Sequence, residues 1–115
     1  MKRFMITGML LATGIIFSQH INPKLEAYGQ LVKATYFHEN GKIRQEGFFK
    51  DGKLEGQWVS YDENGIKTAM AEYARGEKTG KWIFLGETML SEVDYRNSRI
   101  MNIKNWKQEA LVNRN

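Results

Sequence analysis

Residues 47–65 read GFFKDGKLEGQWVSYDENG, and residues 71–82 answer them with AEYARGEKTGKW. Gly56-Gln57-Trp58 becomes Gly80-Lys81-Trp82, Gly52 becomes Gly76, Phe49 becomes Tyr73 and Asn40-Gly41 becomes Asn64-Gly65, each 24 residues on. Trp106 stands another 24 residues beyond Trp82 and extends the series. So many matches at one interval mark a tandem repeat, in which each unit buries apolar surface against its neighbours. The first unit runs from Val32 to Gly56, the second from Gln57 to Gly80, and a third starts at Lys81. The third unit fades as a capping unit does: its turn at Gly86-Glu87 is two residues shorter, and Asn97 and Asn102 replace the late glycines.

Each unit reads as two short strands. Asn40-Gly41, Asp51-Gly52 and Asn64-Gly65 are hairpin signals, because these residue types tolerate the positive backbone angles of tight turns. The segments between turns are short for helices and suit strands, predicted at 31–38, 43–50, 57–62, 66–74, 81–85 and 89–96. A strand near 100–104 follows, then a short helix or tail. The expected fold is all-β, a meandering twisted sheet of tandem antiparallel hairpins. Its domain plan is a signal peptide at 1–19, an N-terminal segment at 20–30, the repeat domain at 31–106 and a tail at 107–115.

Alternation along strands assigns faces. Ile43, Gly47 and Phe49 form one set, matched by Ala69, Ala71, Tyr73 and by Met89, Val93, Tyr95; this is the expected core. Arg44, Glu46, Phe48 and Thr68, Met70, Glu72 lie opposite. Trp58 opposes Val59 and Tyr61, and Trp82 with Phe84 opposes Ile83 and Leu85, so both faces of these strands are partly apolar. A single sheet with two apolar faces must curl, be covered, or bind something. For each tryptophan, core packing and partner binding both remain open.

Ahead of the repeats, Lys2 and Arg3 precede a charge-free run from Phe4 to Phe17, and Phe17-Ser18-Gln19 leads into His20. That order is a secretory signal, with cleavage expected near Ser18 to His20. The run is shorter than the roughly 20 residues of a membrane span. Export to the periplasm, cell envelope or extracellular space is therefore expected. Removing Lys2 and Arg3 from the 17 basic residues leaves 15 against 13 acidic ones, a near balance that gives no nucleic-acid signal. The absence of cysteine excludes disulfides, thiolate metal sites and a cysteine nucleophile.

The pattern of Asn40, Gly41, Phe49, Gly52, Gly56, Trp58 and Tyr61, followed by Asn64, Gly65, Glu72, Tyr73, Gly76, Gly80 and Trp82, resembles the MORN-repeat variant of small bacterial proteins, often grouped as YwqK-family antitoxin-like proteins. The resemblance covers roughly residues 30–96. It departs at Ala34, which stands where the other units have tryptophan, and in unit three. It implies a chain of antiparallel hairpins associated with scaffolding, protein contacts or membranes, and an antitoxin-like inhibitor as an alternative role. A secretory leader argues against a cytoplasmic antitoxin.

No catalytic group assembles by position. His20 and His38 make no transition-metal set without cysteine, and Asp62-Glu63-Asn64-Gly65 lacks the longer loop of a calcium hand. Glu72 and Asp94 occupy equivalent positions and form an acid pair in outline, but the repeat template explains them without catalysis. The glycines lack a phosphate-loop context. No enzyme activity, cofactor, metal or specific nucleic acid is expected. The partner-binding candidates are Trp58, Trp82, Phe84 and Phe48, as aromatic anchors for a protein or for self-association. An anionic surface, or a glycan stacked on a tryptophan ladder, is an alternative partner. Gly41, Gly52, Gly56, Gly65, Gly76, Gly80, Phe49, Tyr61, Tyr73 and Tyr95 are expected to shape the repeat.

Overall fold

A computed structural model describes residues 22–107. The predicted signal peptide, its cleavage site, His20 and the tail beyond Lys107 lie outside the described residues. The strands are β1 (Lys24–Tyr28), β2 (Leu31–Phe37), β3 (Ile43–Lys50), β4 (Lys53–Tyr61), β5 (Lys67–Ala74), β6 (Glu77–Lys78), β7 (Gly80–Leu85), β8 (Met89–Arg96) and β9 (Arg99–Lys107). They form one antiparallel meander in chain order, with β6 pairing β5 beside β7. The expected strands are present within two residues of their bounds, except that β4 begins four residues before the expected 57. Three features were not expected: β1 occupies the N-terminal segment, the short β6 precedes β7, and β9 runs on through Trp106 to Lys107.

Local chemistry places the turns. Asp51 and Gly52 have φ of 51° and 80°, Arg75 and Gly76 have 51° and 84°, and Asn97 and Ser98 have 50° and 66°. Two successive positive angles make the tight hairpin turn that matches strand twist. Asn97-Ser98 therefore does in unit three, without glycine, what Asp51-Gly52 and Arg75-Gly76 do earlier. At the other end of the hairpins, loops 38–42 and 62–66 close alike: His38 N–H donates to Lys42 O at 2.8 Å, and Asp62 N–H to Ile66 O at 2.8 Å. The equivalent loop in unit three is residues 86–88, two shorter, closed by Gly86 N–H to Met89 O at 2.8 Å.

The core lies on one face of the sheet. Ala34 pairs with Gly47, Phe49 with Leu54, Trp58 with Ala71, and Trp82 with Val93. Ala34, Tyr36, Phe49 and Trp58 form a buried cluster to which Leu54, Ala71 and Tyr73 add partly buried surface. A sheet one layer thick can bury this face only because a tryptophan lies across the neighbouring strand. The Trp58 indole covers Gly47, where any Cβ would overlap the ring.

Bulges decide which face each later residue reaches. From Glu46↔Val59 to Phe48↔Glu55, β3 advances two residues while β4 advances four. From Met70↔Ile83 to Tyr73↔Lys78 the advance is three against five. Both two-residue excesses contain a glycine at positive φ, Gly56 at 75° and Gly80 at 69°. In β9 the excess is a single residue: Asp94↔Asn102 is followed by Tyr95↔Ile100. Asn102, at the place of those glycines, instead pairs in the ladder with Asp94. A one-residue excess reverses the inside and outside of everything beyond it.

This corrects the reading of Trp106. It pairs with Leu90, which pairs with Leu85, so it lies on the face opposite Trp58 and Trp82 and is 45% exposed. The 24-residue spacing is a coincidence there, because the shorter unit and the smaller bulge break the equivalence. Met89, expected in the core, is also exposed, at the open end of β8.

Glycine-to-alanine changes in strands gain up to about 1 kcal/mol when the site is open. At Gly47 the overlap with Trp58 outweighs that gain, and Gly47→Ala should cost roughly 1–3 kcal/mol in urea unfolding. Trp58→Ala should cost about 3–5 kcal/mol. A Gly47→Ala variant as stable as the parent would contradict the close packing.

Candidate functional site

The repeat builds one arrangement twice. Phe49 meets Trp58 edge-on at 5.3 Å between ring centres, and Tyr73 meets Trp82 at 5.2 Å. Trp58 Nε1 donates to the Phe48 carbonyl at 3.0 Å, and Trp82 Nε1 donates to the Glu72 carbonyl at 3.0 Å. Each indole is thus held over the preceding strand by an aromatic edge and by a backbone acceptor one residue before it. Edge-to-face pairs add about 0.5–1.5 kcal/mol beyond area burial. Leu54 packs on the first cluster; its counterpart Lys78 sets its ammonium 5.2 Å from the Trp82 ring and 5.2 Å from the Tyr95 ring. The cation closes over a more open cluster in the second unit.

These contacts sort the four proposed anchors. Trp58 is 2% exposed and Trp82 7%, so neither stands on an exposed face; they are the interior of the sheet. Of the two readings open for them, burial supports core packing: the Trp58 indole lies over Gly47 and the Trp82 indole is held by the Glu72 carbonyl, so neither projects into solvent. Phe48 lies on the opposite face, half-buried beneath Tyr28 of β1 at 6.0 Å, and shares no surface with the tryptophans. Phe84 alone remains accessible, at 39%, beside Trp82 at 6.2 Å.

The repeat residues act as spacers between units. His38 Nε2 donates to the Tyr61 carbonyl at 2.9 Å and Asn40 Nδ2 to the Glu63 carbonyl at 2.9 Å, tying loop 38–42 to loop 62–66. His38 is therefore a half-buried strut, not a solvent-facing turn residue. Asp62 Oδ1 accepts the N–H groups of Asn64 at 2.8 Å and Ile66 at 3.0 Å, which uses the calcium-friendly oxygen to close its own loop. On the far side, Gly76 N–H reaches Leu54 O at 2.9 Å and Ser98 N–H reaches Lys78 O at 2.9 Å, so each tight turn docks on the start of the preceding strand.

Glu72 and Asp94 do share a face, but Lys81 pairs with Asp94 in the ladder and binds Glu92 Oε2 at 3.0 Å. The hydrogen bond to Glu92, its charge and that of Asp94 raise the Lys81 ammonium above its usual value. Asp94 and Glu92 thereby share one cation. Among the described residues, no group of three His, Cys, Asp or Glu side chains is placed to hold a metal ion. Lys50, Asp51, Lys53, Glu55 and Arg75 line a shallow polar recess in which Glu55 already accepts the Arg75 N–H at 2.9 Å. The arrangement offers a surface, not a reaction centre.

That surface is unevenly distributed. Of the ten exposed large hydrophobic residues among the described residues, six fall between residues 84 and 106: Phe84, Met89, Ile100, Met101, Ile103 and Trp106. Leu25, Tyr28 and Val32 lie at the opposite edge of the sheet and Ile66 at a loop tip. Sequence reasoning missed β9 as a surface because its residues repeat the apolar pattern of buried strands. Its signal was the missing glycine at Asn102.

Burial raises the Tyr36 hydroxyl above the ordinary 10.0, against a smaller pull from Arg44, and burial likewise raises Tyr73, with Tyr95 adding to it. The folded state holds these phenols neutral more firmly than the unfolded chain does. Their contribution is complete below pH of about 10 and is lost as pH rises through the higher folded values. The urea midpoint should thus fall above that pH, less steeply in Tyr36→Phe. The Tyr36 hydroxyl is buried without a hydrogen-bond partner among the described residues. At neutral pH Tyr36→Phe should therefore match the parent or exceed it by roughly 1 kcal/mol.

The MORN repeat variant model matches residues 30–51 and 54–74. No curated protein and no solved structure matches the chain. The two matched segments are the strands and turns whose indole packing recurs at Trp58 and Trp82, and the sheet carries the pattern on to β9. Residues 30–74 are a MORN-repeat variant domain.

Proposed function

We propose that the chain is an exported, non-enzymatic module that binds a protein partner through the C-terminal third of its sheet. The observation that carries this reading is the concentration of accessible apolar side chains from Phe84 to Trp106, where the first two units leave only Val32 and Ile66 comparably exposed. Phe84, Ile100 and Ile103 offer apolar anchors on the core face and Trp106 one on the other face, and Arg99, Lys104 and Lys107 intersperse β9 with cations. Apolar centres with a charged rim are the anatomy of protein interfaces. Lys2, Arg3 and the charge-free run that follows support export to the periplasm, envelope or medium.

The glycan reading loses its platform, because the two tryptophans of the ladder are interior. The inhibitor role implied by the YwqK resemblance has no observation of its own in the sheet.

Crosslinking in the native envelope tests the proposal. Phe84→Ala and Trp106→Ala should each reduce capture of the partner severalfold while leaving the unfolding midpoint within about 0.5 kcal/mol of the parent, as surface changes do. Capture unchanged by both substitutions, one on each face of the sheet, would reject the C-terminal third as the binding surface.

A further inference from the structure

Resting on that reading only for its premise that the sheet is an association surface, we propose that the partner is a second copy of this chain. The two copies join edge to edge, β9 of one against β1 of the next.

Among the described residues the sheet is open at both ends: β9 pairs only with β8 and all nine of its residues are exposed, and β1 pairs only with β2. Each therefore presents a row of unpaired backbone donors and acceptors, the usual template for strand addition. Apolar side chains stand on both edges, including Leu25 at 56% exposure and Ile103 at 52%.

Strand direction makes the two edges compatible. The hydrogen-bonded path β1-β2-β3-β4-β5-β7-β8-β9 has an even number of members, all antiparallel to their neighbours. β1 and β9 consequently run in opposite directions. A copy carried along the sheet presents its β1 antiparallel to β9, as in every other pairing of the molecule.

The faces agree as well. Ala27 pairs with Val32, on the core face, and Ile103 pairs with Val93 on that same face. Setting Ala27 opposite Ile103 continues the core and brings Glu26 opposite Lys104. Lys104 already pairs across the ladder with Glu92, which binds Lys81. The row then reads Lys81, Glu92, Lys104, Glu26, alternating in charge across the junction. Glu26 is the only acid on β1, whereas every ionisable side chain on β9 is a cation. Two β9 strands would repel one another; β9 and β1 complement each other. Because different edges meet, the contact is head-to-tail and can add copies beyond two.

Sedimentation velocity on the full chain over a concentration series tests this. The parent should grow in size with concentration. Ala27→Lys and Ile103→Lys place an inward-pointing lysine on one edge each, at exposed positions, and each variant alone should be monomeric. Mixed in equal amounts, they should form a dimer and nothing larger, since one retains only a usable β9 and the other only a usable β1. Tryptophan emission matching the parent shows that the interior is intact. Should a lysine disturb the sheet, Glu26→Lys supplies the second test: it should weaken assembly, and Lys104→Glu in the same chain should restore it. A monomeric parent, a mixture that stays monomeric, an Ala27→Lys variant that still dimerises, or a charge swap without rescue each overturns the proposal. If the parent is monomeric while Phe84→Ala still lowers envelope capture, the edge contact is rejected and the interaction reading stands.

Discussion

An indole lying flat over a strand with little or no side chain beneath it is the constraint on which this sheet depends. Trp58 covers Gly47, where no Cβ fits, and its N–H is held by the Phe48 carbonyl. The bond and the steric fit fix each other. A hydrogen bond so close to the backbone positions the ring, and the ring in turn excludes water from Ala34, Tyr36 and Phe49. A one-layer sheet has no second layer to supply a core. Large rings folded onto the backbone provide one from within the layer, and the 24-residue repeat propagates the device to Trp82.

The same constraint explains where the surface is. The two-residue bulge keeps the tryptophan on the core face, and in β4 and at the β6–β7 junction it contains a glycine at positive φ. Unit three has Asn102 instead and makes a one-residue bulge, so Trp106 points to the other face and β9 lays no indole over β8 on the core face. The apolar residues that a further unit would cover remain accessible. The capping unit is thus not a polar lid but an unfinished end of the apolar array.

Much of the architecture was legible in the chain. Asn40-Gly41, Asp51-Gly52 and Asn64-Gly65 located hairpins because the preference for positive φ is a property of those residues alone. The two-residue shortening at Gly86-Glu87 was countable, and it is present in loop 86–88. β1 was not legible, since Lys24–Tyr28 carries no repeat position and no strong turn pair before it. The status of the tryptophans was not legible either: alternation correctly opposed Trp58 to Val59, but which face is buried depends on what lies across the strand.

The sequence by itself determined the strands, the turns and the period, because each rests on preferences spanning a few neighbouring residues. Only the tertiary structure decided the face of each side chain beyond a bulge, since that follows from the offset between paired strands. One residue of offset separates the interior Trp82 from the exposed Trp106, although both follow from the same count of 24.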